Sequence, residues 1–414
     1  MNKQEEYDLI VIGSGAAGMT AAIVAARENK SVLLLEKLPQ LASKLKATGG
    51  GRCNLTNTLS NEDFMARFGR DGRFMQDALS AFNHKELVKF LAEIDVETHA
   101  PDGFRIFPTS HSSATIISAL ENEMHSLKVE LLLSQKVERL LMSGEHISGV
   151  KTQDQTFHSS NVIVATGGLG YPTLGAEGDG YSMAVELGHK VTDLHPAMMP
   201  LKTKESWGSV CRADTIAKVE LRVDLKKHKK LRAKGDLIFT KNGIRGPVVL
   251  DFAREVTPLL QKYGEVPLLL NLTKGMNEEQ LSKHLKKEFE KNPDASIATH
   301  LKSLLPKALS KELCILAGVN PEDKNKKIAP KNRAKLIQIL AWTPLTVNGH
   351  DGFKMAMITR GGINLKEINP KTMQSRLVNG LYFCGEIMNL DGPCGGYNLQ
   401  WSFASGNLAG RLLK

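Results

Sequence analysis

Glycines near the N-terminus have the spacing of a phosphate-binding loop. Gly13, Gly15 and Gly18 form a G-x-G-x-x-G pattern, in which the first glycine permits a tight turn and the second lets a pyrophosphate approach the backbone. The third lets a helix pack closely on a sheet. Glu36 follows Gly15 by 21 residues and can accept hydrogen bonds from a ribose hydroxyl. Because a bare glycine pattern usually marks an ordinary loop, the flanking elements must decide whether it binds a nucleotide.

The elements around this loop are those that a dinucleotide site requires. Residues 7–12 are typical of a buried strand, residues 19–28 of an alanine-rich helix, and residues 31–35 of a second strand that ends at Glu36. The phosphates of a dinucleotide would lie at the positive end of the helix, against free amide groups. Because strand, loop, helix, strand and acid occur in this order, the sequence predicts dinucleotide binding.

A second nucleotide element at the C-terminal end indicates which dinucleotide is bound. Residues 380–386 are typical of a short buried strand that ends in a glycine and an acid, and residues 391–398 of a turn-rich loop. Residues 399–413 then predict a helix with small residues along it. A nicotinamide enzyme has no need of this element, whereas FAD is long enough to reach it. A helix start beneath the flavin would stabilise the negative charge of the reduced ring, so we expect FAD.

Two further motifs carry a resemblance to a known family. Residues 48–57 read T-G-G-G-R-C-N-L-T-N, with Lys44 just before them, and this run resembles the signature of the BaiN/RdsA (YhiN-like) NAD(P)/FAD-dependent oxidoreductases. Residues 380–406 resemble the closing motif of the same family. The resemblance covers nearly the whole chain. It implies an α/β fold of the glutathione-reductase type, with a Rossmann-like FAD-binding domain of three-layer ββα architecture and a two-part insert.

The residues expected to contact FAD come from the glycine loop, the end of the second strand, the signature run, the strands around residues 137 and 166–168, and the closing motif. They are Gly13, Gly15, Ala16, Ala17, Gly18, Glu36, Lys37, Lys44, Thr48, Gly51, Arg52, Asn54, Val137, Thr166, Gly167, Gly168, Gly385, Glu386, Gly396, Asn398 and Leu399. A second G-x-G-x-x-G loop is missing from the sequence. We therefore expect NAD(P)H to act as a transient electron donor at the open face of the ring.

Three residues are candidates for catalysis. Cys394 and Cys53 lie in the two loops expected at the flavin ring, where either thiol could protonate a reduced double bond. The alternative, which we favour, is that each thiol is a small apolar residue packed against the flavin edge. Arg360 could hold an anionic or carbonyl-bearing substrate, or could form a salt bridge between domains. No spacing of histidines or cysteines indicates a metal site, and without a C-x-x-C pair a redox-active disulfide of that type is not expected.

The predicted domains differ in charge. We expect the FAD-binding domain over residues 1–193 and 347–414, a β-rich, barrel-like subdomain over 194–275 and 341–346, and a small helical subdomain over 276–340. Residues 194–346 contain 29 Lys plus Arg and 16 Asp plus Glu, whereas the whole chain has a net charge of +10. The basic character therefore belongs to the insert, where Lys226–Lys230 predicts a basic hairpin tip.

Length and composition are those of an ordinary globular protein with several domains. The chain has 414 residues, 42% of them hydrophobic and 24% charged, and no apolar run approaches the length of a membrane span. Glu5, Glu6 and Asp8 precede the first apolar run, unlike the basic start of a signal peptide. We therefore expect a cytoplasmic protein that does not bind membranes. The sequence leaves the oligomeric state open.

Three functions stay open from the sequence. The resembled family is credited with reduction of bile-acid enones, oxidation of an amino-ketone, and reduction of a ribosomal RNA uridine to dihydrouridine. The basic insert favours a uridine of large-subunit ribosomal RNA, because contacts of Lys and Arg to phosphates dominate RNA affinity. However, no aromatic residue interleaves Lys226–Lys230 for base stacking. The second hypothesis is a small-molecule flavin oxidase or enone reductase, and the third is a non-catalytic, flavin-bound RNA-binding factor.

Overall fold

The computed structural model describes residues 6–212 and 214–413, so Glu5 of the acidic N-terminal stretch lies outside the described residues. The chain forms two compact units, which meet in sequence between Pro196 and Ala197 and between Met355 and Ala356. The first unit therefore contains both ends of the chain, and the second unit is the insert. This division agrees with a nucleotide-binding domain that an insert interrupts.

From residue 6 to the insert, the described part of the first unit contains eleven strands and seven α-helices. The strands up to the insert are β1 (Leu9–Ile12), β2 (Val32–Leu35), β3 (Thr56–Asn57), β4 (Thr98–His99), β5 (Arg105–Pro108), β6 (Glu130–Leu132), β7 (Val137–Ser143), β8 (His146–Thr152), β9 (Thr156–His158), β10 (Val162–Val164) and β11 (His195–Ala197). The helices are α1 (Ala16–Arg27), α2 (Ser43–Ala47), α3 (Asn61–Ala66), α4 (Gln76–Ala81), α5 (His84–Glu93), α6 (Ser113–Ser126) and α7 (Asp179–Glu186).

The insert and the C-terminal part follow. The insert contains β12 (Leu201–Thr203), β13 (Thr215–Val223), β14 (Arg232–Phe239), β15 (Gly243–Arg245), α8 (Pro247–Tyr263), β16 (Val266–Asn271), α9 (Glu278–Lys291), α10 (Ile297–His300), α11 (Lys307–Leu316), α12 (Pro330–Ala341) and β17 (Thr343–His350). The first unit is completed by β18 (Ile358–Arg360), β19 (Leu381–Phe383) and α13 (Tyr397–Gly410).

A parallel sheet forms the centre of the first unit. Its strand order is β19-β10-β1-β2-β6, and every neighbouring pair is parallel. β1, β2, β10 and β19 are buried along their whole length, as expected for a sheet that is covered on both faces. β8 of the antiparallel meander β7-β8-β9 packs near β10, and α1 packs against α6 and α13. The predicted α/β fold with a Rossmann-type nucleotide-binding domain is confirmed.

Small residues bring the first and last helices of this unit together. A Cβ atom on Gly406 would lie 2.2 Å from the carbonyl oxygen of Ala17, and one on Gly410 would lie 2.5 Å from that of Ala21. Only glycine therefore allows α13 to approach α1 this closely. The small residues that the sequence showed in this helix thus serve its packing on α1, and that packing places the C-terminal motif beside the N-terminal glycine loop.

The strands of the insert close into a barrel with the order β12-β15-β14-β13-β16-β17. The barrel closes where Leu201 of β12 pairs with His350 of β17. We expected the FAD-binding domain to resume at residue 347, but residues 347–350 belong to the closing strand. Helices α9 to α12 account for most of residues 276–340, and their separation from the barrel as a subdomain of their own stays a prediction.

From the sequence alone, the apolar run at residues 248–252 predicts a strand of the insert, and this prediction is wrong. Residues 248–252 lie in α8, which begins with Pro247 in its first turn. The buried residues Val248, Phe252, Val256 and Leu259 follow the period of a helix and not that of a strand. Because the expectation was based on a short apolar run, it could not separate a strand from the first turns of a buried helix.

Candidate flavin-binding site

A cleft in the first unit gathers most of the residues that the sequence predicted to bind FAD. It lies beside the carboxyl ends of the parallel strands, where ligands bind in open α/β sheets. The empty space between its walls, including the part open to solvent, is about 1330 Å³. The predicted residues that line it are Gly13, Gly15, Ala16, Ala17, Glu36, Lys37, Lys44, Thr48, Val137, Thr166, Gly167, Gly385, Glu386, Asn398 and Leu399.

Each glycine of the N-terminal loop has the geometry that its predicted role requires. Gly13 has φ of +100°, and a Cβ there would lie 2.8 Å from the carbonyl oxygen of Ala165. A Cβ on Gly18 would lie 1.9 Å from the carbonyl oxygen of Gly13, so Gly18 holds α1 against the loop and does not line the cleft. A Cβ on Gly15 would meet no atom within 4 Å. Gly15 therefore leaves space where a pyrophosphate can approach the backbone.

Two helices present uncapped N-termini at this cleft. The N-cap of α1 is Gly15 and that of α13 is Gly396; neither makes a side-chain capping bond, and neither first turn carries an acidic residue. Gly15, Ala16 and Ala17 of α1 line the cleft, as do Asn398 and Leu399 of α13. Free amide groups at helix N-termini attract anions. The cleft therefore suits a ligand that carries negative charge at two separate places, as reduced FAD does at its pyrophosphate and ring.

Glu36 is held in place at the end of β2. Its Oε2 accepts hydrogen bonds from the backbone N–H of Ser14 at 2.9 Å and from Ser14 Oγ at 2.6 Å, and its Oε1 accepts one from the N–H of Leu38 at 2.9 Å. A carboxylate has about four acceptor positions, so Glu36 retains capacity for a ribose hydroxyl. Ser14 was not among the predicted residues, although it stands between two glycines of the motif.

Charged side chains form one wall of the cleft. Lys37 pairs with Asp179 and with Glu177, and Lys136 Nζ lies 3.0 Å from Asp179 Oδ1. Burial alone would raise the pKa of Asp179, but hydrogen bonds from Lys37 and Lys136 outweigh it and hold the pKa below its ordinary value. Asp179 is therefore ionised at neutral pH. The predicted contact residue Lys37 thus already has two carboxylate partners.

A second ion pair joins two distant predicted residues. Lys44 Nζ lies 2.6 Å from Glu386 Oε2, and Glu386 Oε1 accepts a hydrogen bond from the backbone N–H of Thr359 at 2.9 Å. A Cβ on Gly168 would lie only 2.4 Å from Thr359 Oγ1 and 2.8 Å from Glu386 Oε1. Gly168 therefore packs behind Glu386 and does not line the cleft.

Four other predicted contact residues do not line the cleft but support the loops around it: Gly51, Arg52, Asn54 and Gly396. Gly51 is half-buried and Arg52 is exposed, with its guanidinium 5.9 Å from the Phe107 ring centre. A Cβ on Gly396 would lie 2.6 Å from the backbone of Thr56. The Asn54 side-chain amide accepts a hydrogen bond from the N–H of Gly396 at 3.1 Å and donates one to the carbonyl oxygen of Thr56 at 3.2 Å. Their contact with FAD stays a prediction.

The structure places none of the three catalytic candidates on the wall of the cleft. Cys53 is fully buried, and burial raises the pKa of its thiol to about 11. Cys394 is half-buried in the loop that the Asn398 side chain organises through Gly392. Arg360 is half-buried at the end of β18. Cys53 is thus a neutral, packed thiol, and the catalytic roles of Cys53, Cys394 and Arg360 stay predictions.

Sequence reasoning missed Trp401, which also lines the cleft. Its indole ring is 1% exposed, and its Nε1 has no hydrogen-bond partner among the described residues. Thr166 Oγ1, just after β10, is likewise buried and has no hydrogen-bond partner among the described residues. Buried polar groups are nearly always paired. Both atoms are shielded from solvent, so they face the protein interior and not the open space of the cleft.

Metal-binding clusters and membrane-spanning helices are both absent from residues 6–212 and 214–413. Within these ranges no group of three or more His, Cys, Asp and Glu side chains could hold a metal ion. In the same ranges no helix has both the length and the apolar character needed to cross a membrane.

Comparison with known proteins identifies the family. The HI0933-like protein Rossmann domain matches residues 7–412. The 3-dehydro-bile acid delta(4,6)-reductase of Clostridium scindens is 32% identical over 404 residues, 97% of each chain. The ribosomal RNA dihydrouridine synthase of Haemophilus influenzae is 29% identical over 400 residues, 96% of each chain.

A solved structure agrees with the fold. The 3-ketosteroid delta1-dehydrogenase of Sterolibacterium denitrificans superposes with a TM-score of 0.54 at 14% identity, over 98% of this chain and 99% of that chain. At this identity the likeness shows the fold alone. With the match over residues 7–412 and the 32% identical relative, it follows that the chain belongs to the HI0933-like family of Rossmann-fold, FAD-dependent oxidoreductases.

Proposed function

We propose that this enzyme uses NAD(P)H to reduce its FAD and then reduces an electron-poor C=C bond in a uridine of large-subunit ribosomal RNA. The observation that carries the proposal is the basic insert, with 29 Lys plus Arg against 16 Asp plus Glu in residues 194–346. A positively charged surface of this kind favours a polyanionic substrate. Support also comes from two relatives, 29% and 28% identical, that are ribosomal RNA dihydrouridine synthases. An RNA substrate of this kind also supports a location in the cytoplasm.

The proposed reaction consumes NAD(P)H, one proton and uridine, and yields NAD(P)⁺ and dihydrouridine. When bound, FAD would supply hydride transfer between the nicotinamide and one carbon of the uracil C=C bond, and the other carbon would gain a proton. The amides at the start of α1 would bind the pyrophosphate, and Glu36 would accept from the ribose. The N-terminus of α13 would stabilise negative charge at the ring.

A small-molecule substrate is the second candidate, and one observation favours it. The relative with the highest of these identities, 32%, is a 3-dehydro-bile acid delta(4,6)-reductase. The two candidates differ in a simple measurement, because an enone reductase or a small-molecule oxidase turns over quickly without RNA. Membership of an oxidoreductase family leaves the third hypothesis, a non-catalytic RNA-binding factor, without support.

The test is the dihydrouridine content of ribosomal RNA, measured by mass spectrometry in cells with and without the gene. We expect the modification to disappear on deletion and to return with the wild-type gene, but not with the Gly15→Asp variant, which should lose FAD. An unchanged dihydrouridine level in the deletion strain would overturn the RNA substrate. Rapid oxidation of NAD(P)H with a steroid enone and without RNA would then support the second candidate.

A further inference from the structure

The basic hairpin tip that the sequence predicted lies between β13 and β14. These strands pair in antiparallel fashion, with Arg222 opposite Arg232 at the last pair before the turn. Lys226, Lys227, Lys229 and Lys230 of the turn are all exposed. Within the described residues none of these four lysines forms an ion pair, and Asp224 is the only carboxylate in the turn. Their charge is therefore available to a partner.

An aromatic residue from a different part of the chain accompanies this tip. Tyr263, at the end of α8, is 41% exposed, and its ring meets that of His228 at a centroid distance of 5.9 Å. The Tyr263 hydroxyl lies 3.3 Å from His228 Nε2, and Lys262 Nζ lies 5.3 Å from the centre of the Tyr263 ring. No aromatic residue interleaves the lysines along the sequence, but the fold brings the Tyr263 ring to the tip.

A second aromatic ring lies beside the two arginines that form the last pair before the turn. The guanidinium of Arg222 stacks on the ring of Trp342, with its Cζ atom 3.7 Å from the ring centre. Trp342 is half-buried, and Arg232 is exposed directly across from Arg222. Within the described residues Arg222 and Arg232 form no ion pair. Guanidinium and indole planes of this kind are surfaces on which unpaired bases stack.

We propose that these residues form a docking surface for single-stranded RNA. The surface, here called the hairpin platform, consists of Arg222, Lys226–Lys230, Arg232, Tyr263 and Trp342. The lysines and Arg232 would contact phosphates, and Tyr263 and the Arg222–Trp342 stack would hold unstacked bases. Stacking requires bases that are splayed out of a duplex, so the platform selects single-stranded loops. This inference rests on the proposed RNA substrate.

The first test measures the salt dependence of RNA binding. The probe is a fluorescent, uridine-rich single strand, bound to the full-length, FAD-loaded enzyme. The variant K226Q/K227Q/K229Q/K230Q should reduce the slope of log affinity against log salt by about 3, because each phosphate contact contributes about 0.7 on a single strand. The matched control K283Q/K286Q/K287Q/K291Q removes four exposed lysines of α9, and it should leave the slope unchanged. Equal losses of slope in both variants would overturn the platform.

The second test separates stacking from charge. Tyr263→Leu should weaken binding about tenfold without changing the salt slope, because one stacked base is lost. Tyr263→Phe keeps the ring and should bind like the wild type. A Tyr263→Leu variant with wild-type affinity, tighter binding of the matching duplex, or displacement of the RNA by an acidic peptide would each overturn the proposal. Bound FAD and thermal melting are measured in every variant to confirm folding.

Complementation in cells distinguishes failure of the platform from failure of the proposed function. If deletion of the gene removes dihydrouridine and the tip variant restores less than the α9 control, both proposals are supported. If deletion removes dihydrouridine and the tip variant restores it fully, the platform is wrong and the proposed function stands. If deletion leaves dihydrouridine unchanged, the proposed function fails, and the platform, which rests on it, fails as well.

Discussion

Substitution of Gly15 by aspartate should remove FAD without unfolding the protein. Gly15 is the N-cap residue of α1, with φ of −70° and ψ of 179°, a conformation that any residue adopts. A Cβ at this position meets no atom within 4 Å. The aspartate side chain would therefore cause no clash in the protein itself, but it would enter the space reserved for the pyrophosphate.

The magnitude follows from the charges. A carboxylate about 5 Å from one phosphate charge costs about 3 kcal/mol at an effective dielectric constant of 20, and this weakens FAD binding roughly 100-fold. The same carboxylate can accept hydrogen bonds from the first amides of α1, as aspartate does at N-caps, which adds a few tenths of a kcal/mol of stability. The substitution should thus lower the affinity for FAD and leave the protein without FAD equally stable or slightly more stable.

The assay combines the flavin absorbance of the purified protein, titration with FAD, and thermal melting of the protein stripped of flavin. Gly15→Asn supplies the same bulk without the charge and should show a smaller loss of affinity. Gly18→Ala is the contrasting variant, because its Cβ would lie 1.9 Å from the carbonyl oxygen of Gly13, and it should lower the melting temperature. A Gly15→Asp protein that purifies with a full complement of FAD would refute this assignment of the cleft.

Two further predictions concern titratable side chains. In the native enzyme only one thiol should react rapidly with Ellman's reagent, because four of the five cysteines are buried and Cys394 is half-buried. This rapid reaction should disappear in Cys394→Ser, and two or more rapidly reacting thiols would contradict the prediction. The melting temperature should fall as the pH drops below 6.5, because burial lowers the pKa of His189 and the unfolded chain binds a proton more readily. His189→Asn should reduce that dependence, and an unchanged pH profile would refute the assignment.

The sequence predicted the cleft well where the signal is local. The glycine loop and Glu36 lie within one strand–helix–strand unit, so their spacing follows from the lengths of β1, α1 and β2. The closing motif was expected beside them because FAD is long enough to reach both, and the small residues of α13 explain the packing that joins the two. By contrast, spacing gave no signal for the contact of Lys136 with Asp179, because the two residues come together only through tertiary folding.

The insert shows where sequence reasoning fails for physical reasons. The apolar run at Val248 starts a helix whose buried face becomes clear only over its full length. The two rings of the hairpin platform come from the end of α8 and from the residue that joins α12 to β17, so no window along the chain contains them together with the lysines. Pairing of β16 with both β13 and β17 brings these segments to β13, and this pairing joins residues that are distant in sequence.

The uncapped helices suggest how folding and cofactor binding are linked. A serine or aspartate at an N-cap usually stabilises a helix, and replacing one with glycine costs a few tenths of a kcal/mol. Both α1 and α13 have glycine at this position. A capping side chain there would form hydrogen bonds with the same amide groups that face the cleft. A ligand that binds only the folded state adds RT ln(1 + [L]/Kd) to its stability. FAD bound at both helix ends would therefore offset the missing caps, so the residues that bind the cofactor also make the first unit depend on it.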